Sequence, residues 1–149
     1  MKIAIVGGSG HYRYALDQLK EHTLLGIAPG VMGEDLEKLQ KALAKREIPA
    51  PLLNDWKKLV KDADVVVVNT RPDKNAIVSA YCLERNVCVF SEKPLAVTME
   101  QLEMLGKAEE KSKAFISAML GIRYSGWYRT VKNALPRIGQ IRLINAQKS

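Results

Sequence analysis

Residues 2–12 read Lys2-Ile3-Ala4-Ile5-Val6-Gly7-Gly8-Ser9-Gly10-His11-Tyr12. A short apolar run ends abruptly in glycines, and residues 11–21 then place Ala15, Leu16 and Leu19 on one helical face. This is the pattern strand, tight turn, helix. Glycines at such a turn let the backbone reverse sharply and bring its N–H groups close to a pyrophosphate. The three-glycine fingerprint is incomplete, however: counting from Gly8 the third place falls on Arg13, and counting from Gly7 the pattern meets Ser9 and Tyr12. Taken alone, the turn serves equally well as a reversal that binds nothing.

Working outward, the alternation repeats. Residues 23–28 form a second apolar strand stopped by Pro29 and Gly30, and residues 34–45 align Leu36, Leu39 and Leu43 on one helical stripe. Residues 50–53 make a short third strand, weakened by Pro49 and Pro51, before Asn54 or Asp55 caps a helix through Val60. Val65, Val66, Val67 and Val68 are an unbroken β-branched run, suited to a strand covered on both faces at the centre of a parallel sheet. Pro72 opens a helix to about Arg85, residues 87–90 form the next strand, and Thr98 caps a helix with Leu102, Leu105 and Ala108 on one side. Residues 115–119 make a sixth strand. Alternation at this spacing calls for a doubly wound parallel α/β sheet, with ligands at the carboxyl ends of the strands where the winding reverses.

Past Leu120 the pattern changes. Residues 124–135 read as a helix broken by Pro136 and Gly139, and residues 141–146 as a strand with no evident partner. Such a strand is expected to open a second sheet that the chain does not contain, or to pair with another copy of the chain. The expected division is therefore a sheet domain over residues 1–122 and a short helix and strand over residues 123–149.

The chain has 149 residues, 47% hydrophobic and 26% charged, enough for one domain with a core that needs no metal or disulfide. Disordered, collagenous and cystine-scaffold classes are excluded. The apolar start is too short for a secretory signal, and nothing approaches a membrane span, so a cytoplasmic location without membrane attachment is expected. Cys82 and Cys88 do not form a Cys-x-x-Cys pair and are expected as reduced thiols. The net charge of +7 lies wholly at the end: all 16 acids precede Lys111, and eight basic residues follow from there on. These cations are spread several positions apart and no nucleic-acid motif accompanies them, so nucleic-acid binding is not expected. Trp56 and Trp127 read as helix-packing anchors, and Met99 and Met104 as core filler.

Three candidate sites lie at the ends of strands. The first is the turn from Gly7 to Tyr12. The second holds Ala28 and Pro29 where dinucleotide folds usually place an acid for the adenosine ribose; Glu34 and Asp35 lie beyond Gly30 and Gly33, and the sequence does not separate NAD from NADP. The third is the pair Asn69-Thr70-Arg71-Pro72 and Ser91-Glu92-Lys93-Pro94. A partly desolvated lysine at a sheet mouth can exchange a proton with a substrate hydroxyl, and an X-Pro bond there can be cis; a solvated lysine in a turn is the alternative. His11 could contact a phosphate or simply be exposed.

The ordered combination of the Gly7–Gly10 turn, Val65 to Pro72, Glu92-Lys93-Pro94-Leu95-Ala96, Arg123 and Gly139-Gln140-Ile141-Arg142 resembles the glucose–fructose oxidoreductase and inositol dehydrogenase family along essentially the whole chain. The resemblance implies a Rossmann domain that binds NAD or NADP and the oxidation or reduction of a sugar, polyol or related hydroxyl compound. It implies that Gly7, Gly8, Ser9, Gly10, His11 and Tyr12 line the pyrophosphate, that Asn69, Thr70, Arg71 and Pro72 border the adenosine side, and that Glu92 meets the nicotinamide ribose. Lys93 would be the proton shuttle, and Asn75 and Arg123 complete the cofactor-site candidates; no metal ligand is expected. Asn75 stands where many relatives carry a histidine. Relatives continue for about another domain, which supplies the substrate wall, so this stretch alone is expected to hold a nucleotide without turning over substrate. The rival expectation is a nonenzymatic Rossmann module that binds a nucleotide or a partner protein.

Overall fold

The computed structural model describes residues 1–145 and residue 147. The chain divides into two compact units, Met1–Met119 and Leu120–Ser149. The first contains five strands, β1 (Lys2–Val6), β2 (Thr23–Ala28), β3 (Val65–Val68), β4 (Cys88–Ser91) and β5 (Ile116–Ala118). All pair in parallel in the order β2-β1-β3-β4-β5. The four-valine run is the middle strand, as its two-sided burial requires.

Both faces of the sheet are covered, and side-chain alternation divides the core accordingly. Ala4, Val6, Val66 and Val68 pack with Leu59 and Val60 of α3 (Trp56–Val60), Val78 and Leu83 of α4 (Pro72–Leu83) and Leu105 of α5 (Met99–Lys111). Ile3, Ile5, Ile27 and Val67 pack on the other face with Leu16 of α1 (Arg13–Leu16) and with Leu39 and Leu43 of α2 (Glu37–Ala44). The caps follow the sequence: the Asp55 carboxylate accepts from the Lys57 N–H, and Thr98 Oγ1 from the Gln101 N–H.

Several local expectations change. The first helix is only four residues long and gives way to a 3₁₀ turn at Leu19–Glu21, with Gln18 N–H donating to the Ala15 carbonyl and His22 N–H to the Leu19 carbonyl. A 3₁₀ turn brings positions three apart over one another, which lets Leu16 and Leu19 both enter the core. The expected strand at 50–53 shrinks to one bridge, Ile27 to Leu52, because Pro51 has no N–H to extend a ladder. Five strands result, not six. Leu102 is 51% exposed and Met99 66%, so Leu105 and Ala108, with the partly buried Met104 packed beside them, anchor α5. Trp56 packs edge-on against Tyr81 as expected, but Trp127 stays exposed, edge-on to its neighbour Tyr128.

The second unit holds α6 (Gly121–Tyr124), α7 (Gly126–Ala134) and a 3₁₀ turn at Leu135–Arg137. The strand expected at 141–146 is not formed over residues 141–145, which carry no β-ladder, and Ala146 lies outside the described residues. Isolated extended segments leave their backbone groups without partners, and no edge among the described residues of this unit receives this one.

Candidate functional site

The winding of the sheet reverses at β1, which has β2 on one side and β3 on the other. The loops leaving β1 and β3 therefore flank one crevice at the carboxyl edge. They are stitched together there: Asn69 N–H donates to the Val6 carbonyl at 2.7 Å, and Ser9 N–H to the Asn69 carbonyl at 2.8 Å. This approach requires glycine at position 7, whose φ is +88° and where a Cβ would collide with the Asn69 and Thr70 backbone. Gly8 is confined by the loop after β2, since a Cβ would lie 2.7 Å from the Asp35 carbonyl oxygen.

A cavity of about 670 Å³ opens over this turn, lined by Gly8 to Tyr14 together with Glu34, Asp35 and Lys38. The Gly10 and Tyr12 N–H groups at its edge donate no hydrogen bond among the described residues. Asn69 is fully buried, and neither oxygen nor nitrogen of its carboxamide has a partner among the described residues. Leaving such a group unpaired costs about 1–3 kcal/mol, so the carboxamide marks the end of β3 beside the glycine turn as a place held for something other than stability. A glycine cradle with unspent N–H donors and an unsatisfied buried amide beside it fits a diphosphate-linked nucleotide.

The end of β4 reaches the same turn. One oxygen of Glu92, a residue 6% exposed, receives the His11 N–H at 2.5 Å and lies 2.8 Å from His11 Nδ1. Its other oxygen accepts from the Lys93 N–H at 3.0 Å. Asn75, buried in the first turn of α4, donates through Nδ2 to the Glu92 and Pro94 carbonyls at 3.2 and 3.3 Å. The Lys93–Pro94 bond is cis. The Lys93 side chain is exposed, forms no ion pair among the described residues, and lies outside the lining of the glycine-turn cavity.

At the end of β3, Thr70 is buried and Arg71 is exposed. Arg71 grips Asp73 with two hydrogen bonds of 3.0 and 2.8 Å. These bonds, followed by the carboxylate charge, raise the guanidinium pKa, and the hydrogen bond from Arg71 in turn lowers that of Asp73. Pro72 occupies the first position of α4, where its missing N–H costs nothing.

The structure thus brings the turn from Gly7 to Tyr12 together with Asn69, Thr70, Asn75 and Glu92. Arg123 belongs to α6 in the second unit. Sequence reasoning left Glu34 without a role, yet its carboxylate bonds to Gly30, Thr70 and Gly8. The signal was the pair Gly30 and Gly33, which lets the chain double back after β2.

A doubly wound parallel sheet with a glycine turn at its switch point defines a dinucleotide-binding domain of the Rossmann type. Residues 1–119 match the GFO/IDH/MocA family, described as an oxidoreductase family with an NAD-binding Rossmann fold, and the chain belongs to that family. It is 31% identical over 156 residues to the inositol 2-dehydrogenase of Salmonella typhimurium, covering 99% of this chain and 45% of that protein. The chain thus spans about half the length of the curated relatives it matches. A solved structure from Thermotoga maritima superposes with a TM-score of 0.88 at 39% identity, over 95% of this chain and 46% of the other. The myo-inositol dehydrogenase of Lactobacillus casei, solved with NAD(H) and myo-inositol, shares the fold with a TM-score of 0.73 at 23% identity, over 92% and 41% of the two chains. Among the described residues no helix is long and apolar enough to cross a membrane.

Proposed function

We propose that this chain is the cofactor-binding part of an NAD(P)-dependent oxidoreductase acting on a hydroxyl-bearing carbon of a sugar, polyol or related compound, with Lys93 carrying the hydroxyl proton. The observation that carries the reading is the contact between Glu92 and the glycine turn, since it sets the Glu92-Lys93-Pro94 loop beside the place built for a diphosphate. The sugar-alcohol relatives support the substrate class. A bound nicotinamide supplies the hydride chemistry, and the protein supplies position and charge.

In this reading the Gly10 and Tyr12 N–H groups hold the diphosphate, and Asn69, Thr70, Arg71 and Pro72 border the adenosine side. Glu92 receives the nicotinamide ribose, and Asn75 fixes the loop that carries it through two carbonyls. Lys93 is exposed and forms no ion pair among the described residues, so its side chain can give a proton to a substrate oxygen as the ammonium, or take one from a substrate hydroxyl as the free amine and pass it to solvent. Fixing a substrate against the cofactor demands further walls, which the relatives' additional length can supply.

Titrating the purified chain with NADH, read by nucleotide fluorescence, tests the cofactor half of the reading. Saturable one-to-one binding that phosphate-cradle variants such as Gly10→Val abolish is the expected result. Absence of binding by both NADH and NADPH would favour a nonenzymatic protein-interaction module.

A further inference from the structure

The acid that dinucleotide folds use to hold the adenosine ribose sits at the end of the second strand, and here that place is Ala28-Pro29. The loop beyond them brings a carboxylate back by another route. Gly33 takes φ +76°, the Glu34 N–H donates to the Val31 carbonyl, and the side chain of Glu34 returns to the carboxyl edge of the sheet. There Glu34 Oε2 accepts from the Gly30 N–H at 2.7 Å and from Thr70 Oγ1 at 3.1 Å. Among the described residues Glu34 Oε1 has only the Gly8 N–H, at 3.4 Å. One oxygen is anchored, and the other faces the glycine turn with most of its accepting capacity unused. The anchor itself is tightly specified, because a Cβ on Gly30 would collide with the Thr70 side chain.

We propose that Glu34 is the specificity residue for the adenosine ribose and makes the chain select NAD(H) over NADP(H). The inference rests on the dinucleotide reading above. A carboxylate only accepts hydrogen bonds, and a free ribose diol offers two donors. A 2′-phosphate offers acceptors and negative charge instead, so it meets Glu34 with repulsion and unpaired oxygens. The nearby cations do not reverse this. Arg71 lies close enough for Glu34 to raise its pKa slightly, but Asp73 already holds its guanidinium at two points. Arg13 and Lys38 line the same cavity from exposed positions, where their long side chains stay solvated, whereas the Glu34 carboxylate is fixed by hydrogen bonds of 2.7 and 3.1 Å.

Parallel titrations with NADH and NADPH, on the unaltered chain and on Glu34→Gln and Lys38→Ala, test the proposal. The unaltered chain is expected to bind NADH about tenfold or more tightly than NADPH, and Glu34→Gln to bring the two within about threefold, chiefly by tightening NADPH. Lys38→Ala is expected to move both affinities by the same factor, leaving their ratio in place. Equal binding or a preference for NADPH in the unaltered chain would overturn the selector role, as would an unchanged ratio in Glu34→Gln or a selective loss of NADPH in Lys38→Ala. Should Glu34→Gln fail to fold, the first and last measurements still decide. Binding of neither nucleotide would instead sink the dinucleotide reading itself, a result distinct from loss of selectivity.

Discussion

Glu92 and His11, 81 residues apart in the chain, meet through one carboxylate oxygen that touches both the backbone N–H and the imidazole Nδ1 of the histidine. The contact ties the end of β4 to the turn after β1 and so fixes the residue preceding Lys93 against the glycine cradle. The imidazole is largely exposed while the carboxylate is nearly buried. Most of the contact's value therefore lies in the backbone N–H donated to a nearly buried acceptor, because water competes for the exposed imidazole in the side-chain contact.

Glu92→Ala removes an acceptor that serves the His11 and Lys93 N–H groups. Stability measured by urea unfolding is expected to fall by about 1–3 kcal/mol, whereas His11→Ala costs less than about 1 kcal/mol. Equal losses in the two variants would place the energy in the side-chain pair instead.

Lys93 makes no ion pair among the described residues and lies at the surface, so its removal leaves the fold untouched. In the whole protein, Lys93→Ala is expected to lower kcat by roughly 10²–10⁴-fold, the usual contribution of a proton-transfer group, while NADH affinity changes by less than about threefold. Near-normal turnover would remove Lys93 from the chemistry.

Leu39 is fully buried against the sheet, and Leu102, which periodicity also assigned to a core face, is 51% exposed. Leu39→Ala is expected to destabilise the chain by about 2–5 kcal/mol, and Leu102→Ala by no more than about 0.5 kcal/mol. Denaturant midpoints at unchanged slope would read both.

Burial pushes the Cys82 thiol from its ordinary 9.0 up to about 12, with Arg85 opposing only weakly. The unfolded chain releases this proton near pH 9 while the folded chain keeps it, so the unfolded state binds fewer protons between pH 9 and about pH 12. Stability from this group is complete below pH 9 and falls as pH rises, by up to about 1.4 kcal/mol per pH unit. Cys82→Ala is expected to flatten the alkaline limb of the stability profile. A thiol reagent at neutral pH should label the partly exposed Cys88 and spare Cys82.

Much of this chain was legible before any coordinates, and for a consistent reason. The strands at 23–28 and 65–68, the caps Asp55 and Thr98, and the helix start at Pro72 depend on the chemistry of neighbouring residues, which the order of amino acids states directly. The alternation of elements called for ligands at the carboxyl ends of the strands where the winding reverses, and the family resemblance gave Asn69–Pro72 a place beside the cofactor; the strand order put the reversal at β1. What the tertiary structure decided were questions of company. Pro51 left one bridge where a strand was expected, because a strand needs a neighbour to accept its whole ladder. Residues 141–145 formed no strand for the same reason. The carboxylate of Glu34 came to lie against Gly8, Gly30 and Thr70 only because the loop doubles back, and no count of positions from the end of β2 reveals where a side chain on a returning loop will land. Local propensity is written residue by residue, whereas a site made from four strand ends exists only once long-range packing has brought those ends to one edge.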